Sequence, residues 1–119
     1  MQYAVLIYDE PAVWERMSEE ERNAVMGEYF GYSESLRSAG VYVDGNPLES
    51  ASAATTVRVR DGQRLTTDGP FAETREVLGG YYILECDSLD DALAHAARCP
   101  SARFGSIEVR PVMQIPATA

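Results

Sequence analysis

The sequence predicts an α+β domain: a ferredoxin-like antiparallel sheet with two main helices on one face. Three observations lead there. The chain has 119 residues, the length of one domain. Its apolar patterns run β-α-β-β-β-α-β, which is the split β-α-β order with a hairpin added. Two helices cover only one face of a sheet, yet the first strand, Tyr3 to Tyr8, is apolar on both alternating faces. Something must cover the second face, and a second copy of the chain is the simplest cover.

The elements follow in order. Asp9, Glu10 and Pro11 end the first strand, and a short helical piece is expected around Trp14. Ser18 then caps a long helix, with Glu21 three residues later completing a capping box. Val25, Met26, Tyr29, Ser33, Leu36 and Ala39 follow at helical spacing, and Gly40 stops it. Val41 to Ala51 reads as a strand end and a loop. Thr55–Arg60 alternates, Asp61-Gly62 turns the chain, and Gln63–Thr67 returns it, a strong local hairpin signal. Asp68-Gly69-Pro70 breaks that strand. Gly80 to Cys86 is the next strand. Ser88 and Asp91 open a second helix with a stripe of Leu89, Ala92, Leu93, Ala96 and Ala97, and Pro100 lies beyond its end. Gly105 to Val112 is the last strand. The domain spans residues 1–113, and 114–119 form a tail expected to fray.

Acidic residues outnumber basic ones, 19 to 10, for a net charge of −9. Nucleic-acid binders need a basic face, so a nucleic-acid partner is not expected. No apolar run approaches the length of a membrane span, and the N-terminus lacks the basic start and cleavage site of a signal peptide. A cytoplasmic location is the expectation. Cys86 and Cys99 stand without a pairing pattern and are expected as buried free thiols. No His, Cys or carboxylate set has metal-ligand spacing, and no cofactor is called for.

The stretch Asp68–Glu76, "DGPFAETRE", followed by "LGGYYIL", resembles the signature of the YCII-related, or DGPF-domain, family. The resemblance extends to "YAVLIYDE", "LRSAGVYVDGNPL", "ATTVRVRDG" and "GSIEVRPV". It implies a homodimer of the dimeric α/β-barrel type, each sheet forming half of a central barrel. Better-studied relatives carry a His–Asp pair with the histidine on the first helix. Here no residue from Ser18 to Gly40 is histidine, and Glu28 or Tyr29 stands in that place.

The candidate site is built around this motif. Asp68 to Phe71 is expected to shape a turn, with the Asp68 carboxylate holding backbone N–H groups and Phe71 either plugging the core or touching a ligand. Glu73 and Glu76 are placed at the mouth of a pocket for a small carboxylated or lactone ligand. By strand parity Glu108 and Arg110 face away from the helices, and they are expected on the pocket floor, the arginine gripping a carboxylate. Tyr81 and Tyr82 point to opposite faces, with Tyr82 on the pocket wall. Glu73, Glu76 and Glu108 are the candidate catalytic groups, suited to proton abstraction where burial raises a carboxylate's pKa. His95 is expected at the surface. The function read from this is a cofactor-free isomerase, lyase or monooxygenase, or else a non-catalytic metabolite-binding or regulatory dimer.

Overall fold

The computed structural model describes residues 1–116, so the last three residues of the tail lie outside the described residues. The elements are β1 (Gln2–Asp9), α1 (Pro11–Arg16), α2 (Glu19–Ser38), β2 (Tyr42–Pro47), β3 (Thr55–Arg60), β4 (Gln63–Asp68), β5 (Val77–Glu85), α3 (Leu89–Ala97) and β6 (Ser106–Pro111). Short 3-10 turns occupy Ala51–Ala53 and Pro100–Arg103. Both expected caps are made. Ser18 Oγ accepts from Glu21 N at 3.0 Å while Glu21 Oε1 accepts from Ser18 N, and Ser88 Oγ accepts from Asp91 N at 3.1 Å. Gly40 ends α2 at φ +75°, where a side chain would be strained.

The main sheet is antiparallel with the order β2-β5-β1-β6. α2 and α3 cover one face. Tyr3, Val5 and Ile7 of β1, and Tyr82 and Leu84 of β5, point into that layer and form the core with Tyr32, Leu36, Ala92 and Ala96. Three details differ from the sequence reading. Tyr32 replaces Met26 and Ala39 in the buried face of α2, because its hydroxyl finds the His95 carbonyl at 2.7 Å and its ring meets Tyr82 edge-on at 5.4 Å. On α3 only Ala92 and Ala96 are buried, while Leu89 and Leu93 stay largely exposed. His95 is half-buried rather than exposed, its Nδ1 within 2.7 Å of the Arg98 guanidinium.

The opposite face carries Ala4, Leu6 and Tyr8 of β1, which are half-buried with no helix above them. β3 and β4 leave the main sheet and form a separate two-stranded ribbon. Asp61 and Gly62 both take positive φ, as a tight hairpin turn requires. Every residue of β4 is exposed, as are Val57 and Val59 of β3.

Gly105 sets how the second 3-10 turn meets β1. A Cβ there would overlap the Tyr8 carbonyl oxygen, a backbone atom that cannot swing away. Its N–H also closes the turn onto the Ser101 carbonyl at 2.7 Å. Gly105→Ala is therefore expected to lower stability by about 1–3 kcal/mol through overpacking. A urea melt reads this as a lower midpoint at unchanged slope, and an unchanged midpoint would mean the turn gives way freely.

Candidate functional site

A cavity of about 560 Å³ opens between α2 and the helix-facing side of the sheet, a size typical of small-molecule sites. α1 and Trp14 close one end, and Pro47 to Ala51 form a side wall. Its lining is mostly aromatic and aliphatic, and includes Trp14, Tyr29, Phe30, Tyr42, Tyr81 and Tyr82.

Asp9 lines the cavity beside α1, whose Glu15 is a lining residue as well. Asp9 follows Tyr3, Val5 and Ile7 in the inward alternation of β1, so a charged group occupies a position that the pattern reserves for an apolar one. A β-bulge lies beside it: Ile7 pairs with Gly80 but Tyr8 with Leu78, which leaves Gly79 as the extra residue. A Cβ on Gly79 would press on the Asp9 carboxylate at 3.3 Å, so glycine keeps this space open. Burial pushes the Asp9 pKa above the ordinary carboxylate value. Hydrogen bonds from the Trp14 indole and the Ser101 hydroxyl offset part of that rise, and the nearby Glu76 charge adds to it.

Ser101 is fully buried and donates to Asp9 Oδ2 over a long 3.4 Å. With that proton committed, the Tyr29 hydroxyl donates to Ser101 Oγ at 2.5 Å, and it also lies 3.4 Å from Cys99 Sγ. Burial raises the Tyr29 and Cys99 pKa values, so both keep their protons at neutral pH. The result is a directed line of protons from Tyr29 through Ser101 to Asp9. Further along α2, Ser33 Oγ meets the Tyr82 hydroxyl at 2.6 Å.

Of the candidate site residues read from the sequence, Tyr82 lines this cavity, as does its neighbour Tyr81. Asp68, Phe71, Glu73, Glu76, Glu108 and Arg110 lie elsewhere. Asp68 is the exposed last residue of β4, paired with Thr55, and among the described residues its carboxylate caps nothing. The turn is held instead through Gly69, whose N–H donates to the Ala54 carbonyl at 2.7 Å and whose carbonyl accepts the Thr56 hydroxyl at 2.8 Å. Phe71 is 77% exposed and plugs no core in the single chain. Glu73 is exposed, while Glu76 is half-buried and accepts the Ser106 hydroxyl at 3.1 Å. Glu108 and Arg110 do face away from the helices, bonded to each other at 2.5 Å. Their grouping with Tyr82 is corrected by register. Tyr82 pairs with Val5 and Val5 with Val109, whereas Glu108 pairs with Leu6, so Tyr82 and Glu108 sit on opposite faces.

Asp9 and Ser101 were missed by the sequence reading, which took the first as a strand end and did not weigh the second. The available signal was parity: an acid at the next inward position of an otherwise apolar strand. Among the described residues no cluster of His, Cys, Asp or Glu could hold a metal, and no helix is long and apolar enough to cross a membrane.

The sequence matches the YCII-related domain over residues 1–116. The chain belongs to the YCII-related family. This YCII-related chain is 40% identical over 114 residues to an uncharacterized protein of Rhizobium meliloti (strain 1021), a match covering 94% of this chain and 92% of the relative. Its fold is similar to that of the 5-chloro-2-hydroxyhydroquinone dehydrochlorinase of Burkholderia phenoliruptrix AC1100, solved as a complex with 2,5-dihydroxybenzoquinone. That likeness has a TM-score of 0.56 at 16% identity and covers 95% of this chain and 94% of the other. The YCII-related fold is thus α+β, with the antiparallel sheet and one-sided helices expected from the residues.

A raised carboxylate pKa in the folded state has a definite sign. Asp9 binds its proton more tightly folded than unfolded, so its contribution favours folding in acid and is lost as pH rises through the folded pKa. Asp9→Asn, which mimics the protonated form, should raise the Tm at neutral pH. The gain should vanish below the ordinary carboxylate pKa. A gain that persists unchanged in acid would mean that the charge is not the cause.

Proposed function

We propose that this YCII-related protein binds a small cyclic organic acid, lactone or hydroxylated quinone-type compound in the α2–sheet cavity, and that Asp9 acts on it as a general base. The observation that carries this is Asp9 itself: a carboxylate with a raised pKa at the closed end of an apolar, aromatic cavity. Flat aromatic walls suit a flat ligand. The dehydrochlorinase of similar fold is described with a dihydroxybenzoquinone bound, which fits that ligand class.

In the proposed reaction Asp9 removes a proton from a carbon next to a carbonyl, and the C–H electron pair moves into an enolate. The enolate then either takes the proton back at another carbon or expels a leaving group with its bonding electrons. The first outcome is an isomerisation and the second an elimination. These steps favour an isomerase or lyase over a monooxygenase. Ser101 and Tyr29 hold Asp9 in place, and Glu76 acts through its charge. A second reading, a non-catalytic binding or interaction dimer, is favoured by the exposed β3–β4 ribbon with Phe71 beside it.

We place Glu108, Arg110, Leu6 and Tyr81 at the interface of a homodimer in which the uncovered sheet faces meet. An isolated hairpin is marginal in water, so the ribbon also gains from a partner. Light scattering at low micromolar concentration should give about twice the 13.1 kDa chain mass, and a monomer at that concentration would sink the dimer.

The base is tested by solvent-deuterium exchange. Cyclic ketones and lactones bearing an acidic C–H are incubated in D₂O with wild type and Asp9→Asn, and followed by NMR. Wild type should accelerate exchange, and the variant should lose roughly 100-fold or more of it. Equal exchange by both would leave the cavity as a binding site only.

A further inference from the structure

The two ends of the cavity differ in charge. Asp9 closes one end, with Glu76 near enough to raise its pKa. Arg37 lines the other end and is the only cation among the described lining residues. Its guanidinium lies over the Tyr42 ring, 4.4 Å from the centroid. Among the described residues no carboxylate lies within ion-pair distance of it, unlike Arg75, Arg103 and Arg110, which are all paired with glutamates. A guanidinium over an aromatic face still has N–H groups to offer an incoming carboxylate.

We propose that Arg37 is the specificity residue of the cavity, docking a carboxylate on the substrate so that the opposite, reactive end meets Asp9. The proposal rests on the cavity reading above and deepens it. Tyr29, which serves Asp9, and Arg37 are eight positions apart on α2, about 12 Å along the axis. Long helical side chains tend to point back toward the helix N-terminus, which would shorten that span. The substrate class is therefore an elongated ring compound with its carboxylate on an arm, not attached directly to the reacting ring. Ser33 and the Tyr82 hydroxyl lie between the two ends, within reach of a ring substituent. Gly45 completes the arrangement, because a Cβ there would strike the Tyr82 ring that packs edge-on against Tyr42.

Electrostatics gives the orientation. The chain carries a net charge of −9, and Glu15 and Glu49 also line the cavity. Among the described lining residues Arg37 is the single positive charge against three acids, so it favours one orientation of an anionic ligand. A bidentate arginine–carboxylate contact adds geometric selection that a lysine would not supply. The position of Arg37 in the last turn of α2 also suits the helix dipole, a purely structural role that would leave ligand choice untouched.

The test uses titration calorimetry with a series of 4-hydroxyphenyl carboxylic acids of increasing arm length, each beside its neutral amide. Wild type, Arg37→Gln, Arg37→Lys and Asp9→Asn are compared, with melts confirming that each folds. The expected result is that wild type prefers an acid over its amide by roughly 10–100-fold, with the best acid having an arm of two or more carbons. Arg37→Gln should abolish that preference without weakening the amides. Arg37→Lys should restore only part of it, and Asp9→Asn should keep it. Equal binding of acids and amides by wild type, or a preference that survives Arg37→Gln, overturns the Arg37 proposal and leaves the cavity reading standing. No binding of any acid or amide by wild type overturns both.

Discussion

β1 is hydrogen-bonded along both edges, to β5 and to β6, and its side chains alternate between a helix-covered face and an open one. This alternation governs the rest of the molecule. Val5, almost wholly shielded, aligns Tyr82 and Val109 on the covered side, and Leu6 aligns Tyr81 and Glu108 on the open side. Asp9 ends the inward row, which is why a carboxylate comes to rest under α2. A one-residue slip of register would exchange both faces at once, so the strand that is apolar on both sides is also the one that is pinned on both edges.

The site follows from that constraint and from two close approaches. Gly79 sits in the bulge opposite Asp9 and gives its carboxylate room. Gly105 lets the Pro100–Arg103 turn come down against the end of β1 and brings Ser101 into reach of Asp9. The carboxylate is held in poor solvation with incomplete compensation, since burial outweighs the Trp14 and Ser101 hydrogen bonds. Such local conflict between stability and chemistry is where functional groups gather. The covered face thereby acquires a half-buried carboxylate in the cavity wall, while the ion pair of Glu108 and Arg110 belongs to the open face.

The β3–β4 ribbon stands apart from this arrangement. Its apolar side chains, Val57, Val59 and Leu65, are exposed along with Phe71. A radius of gyration of 16.6 Å exceeds the roughly 13–14 Å of a compact chain of this length, consistent with an arm that leaves the body. Arg58, Arg60 and Arg64 put three of this acidic chain's ten basic residues on that arm, beside Asp61 and Asp68.

The sequence by itself determined what short-range physics controls. The two helix caps, the stop at Gly40 and the Asp61-Gly62 turn depend on residues a few positions apart, and each is present in the fold. The family was legible in the DGPF stretch. Only the tertiary structure decided what lines the cavity. Tyr29, Ser101 and Asp9 converge from α2, a turn near the C-terminus and the end of β1, across separations of 72 and 92 positions. No local pattern encodes that meeting. The charged motif residues draw the eye because they cluster along the chain, but Asp68, Phe71 and Glu73 are spread over the surface by a ribbon that leaves the sheet. Asp9 was hidden because one acid at a strand end reads as a terminator. Its surroundings appear only when packing half-buries it beside a cavity.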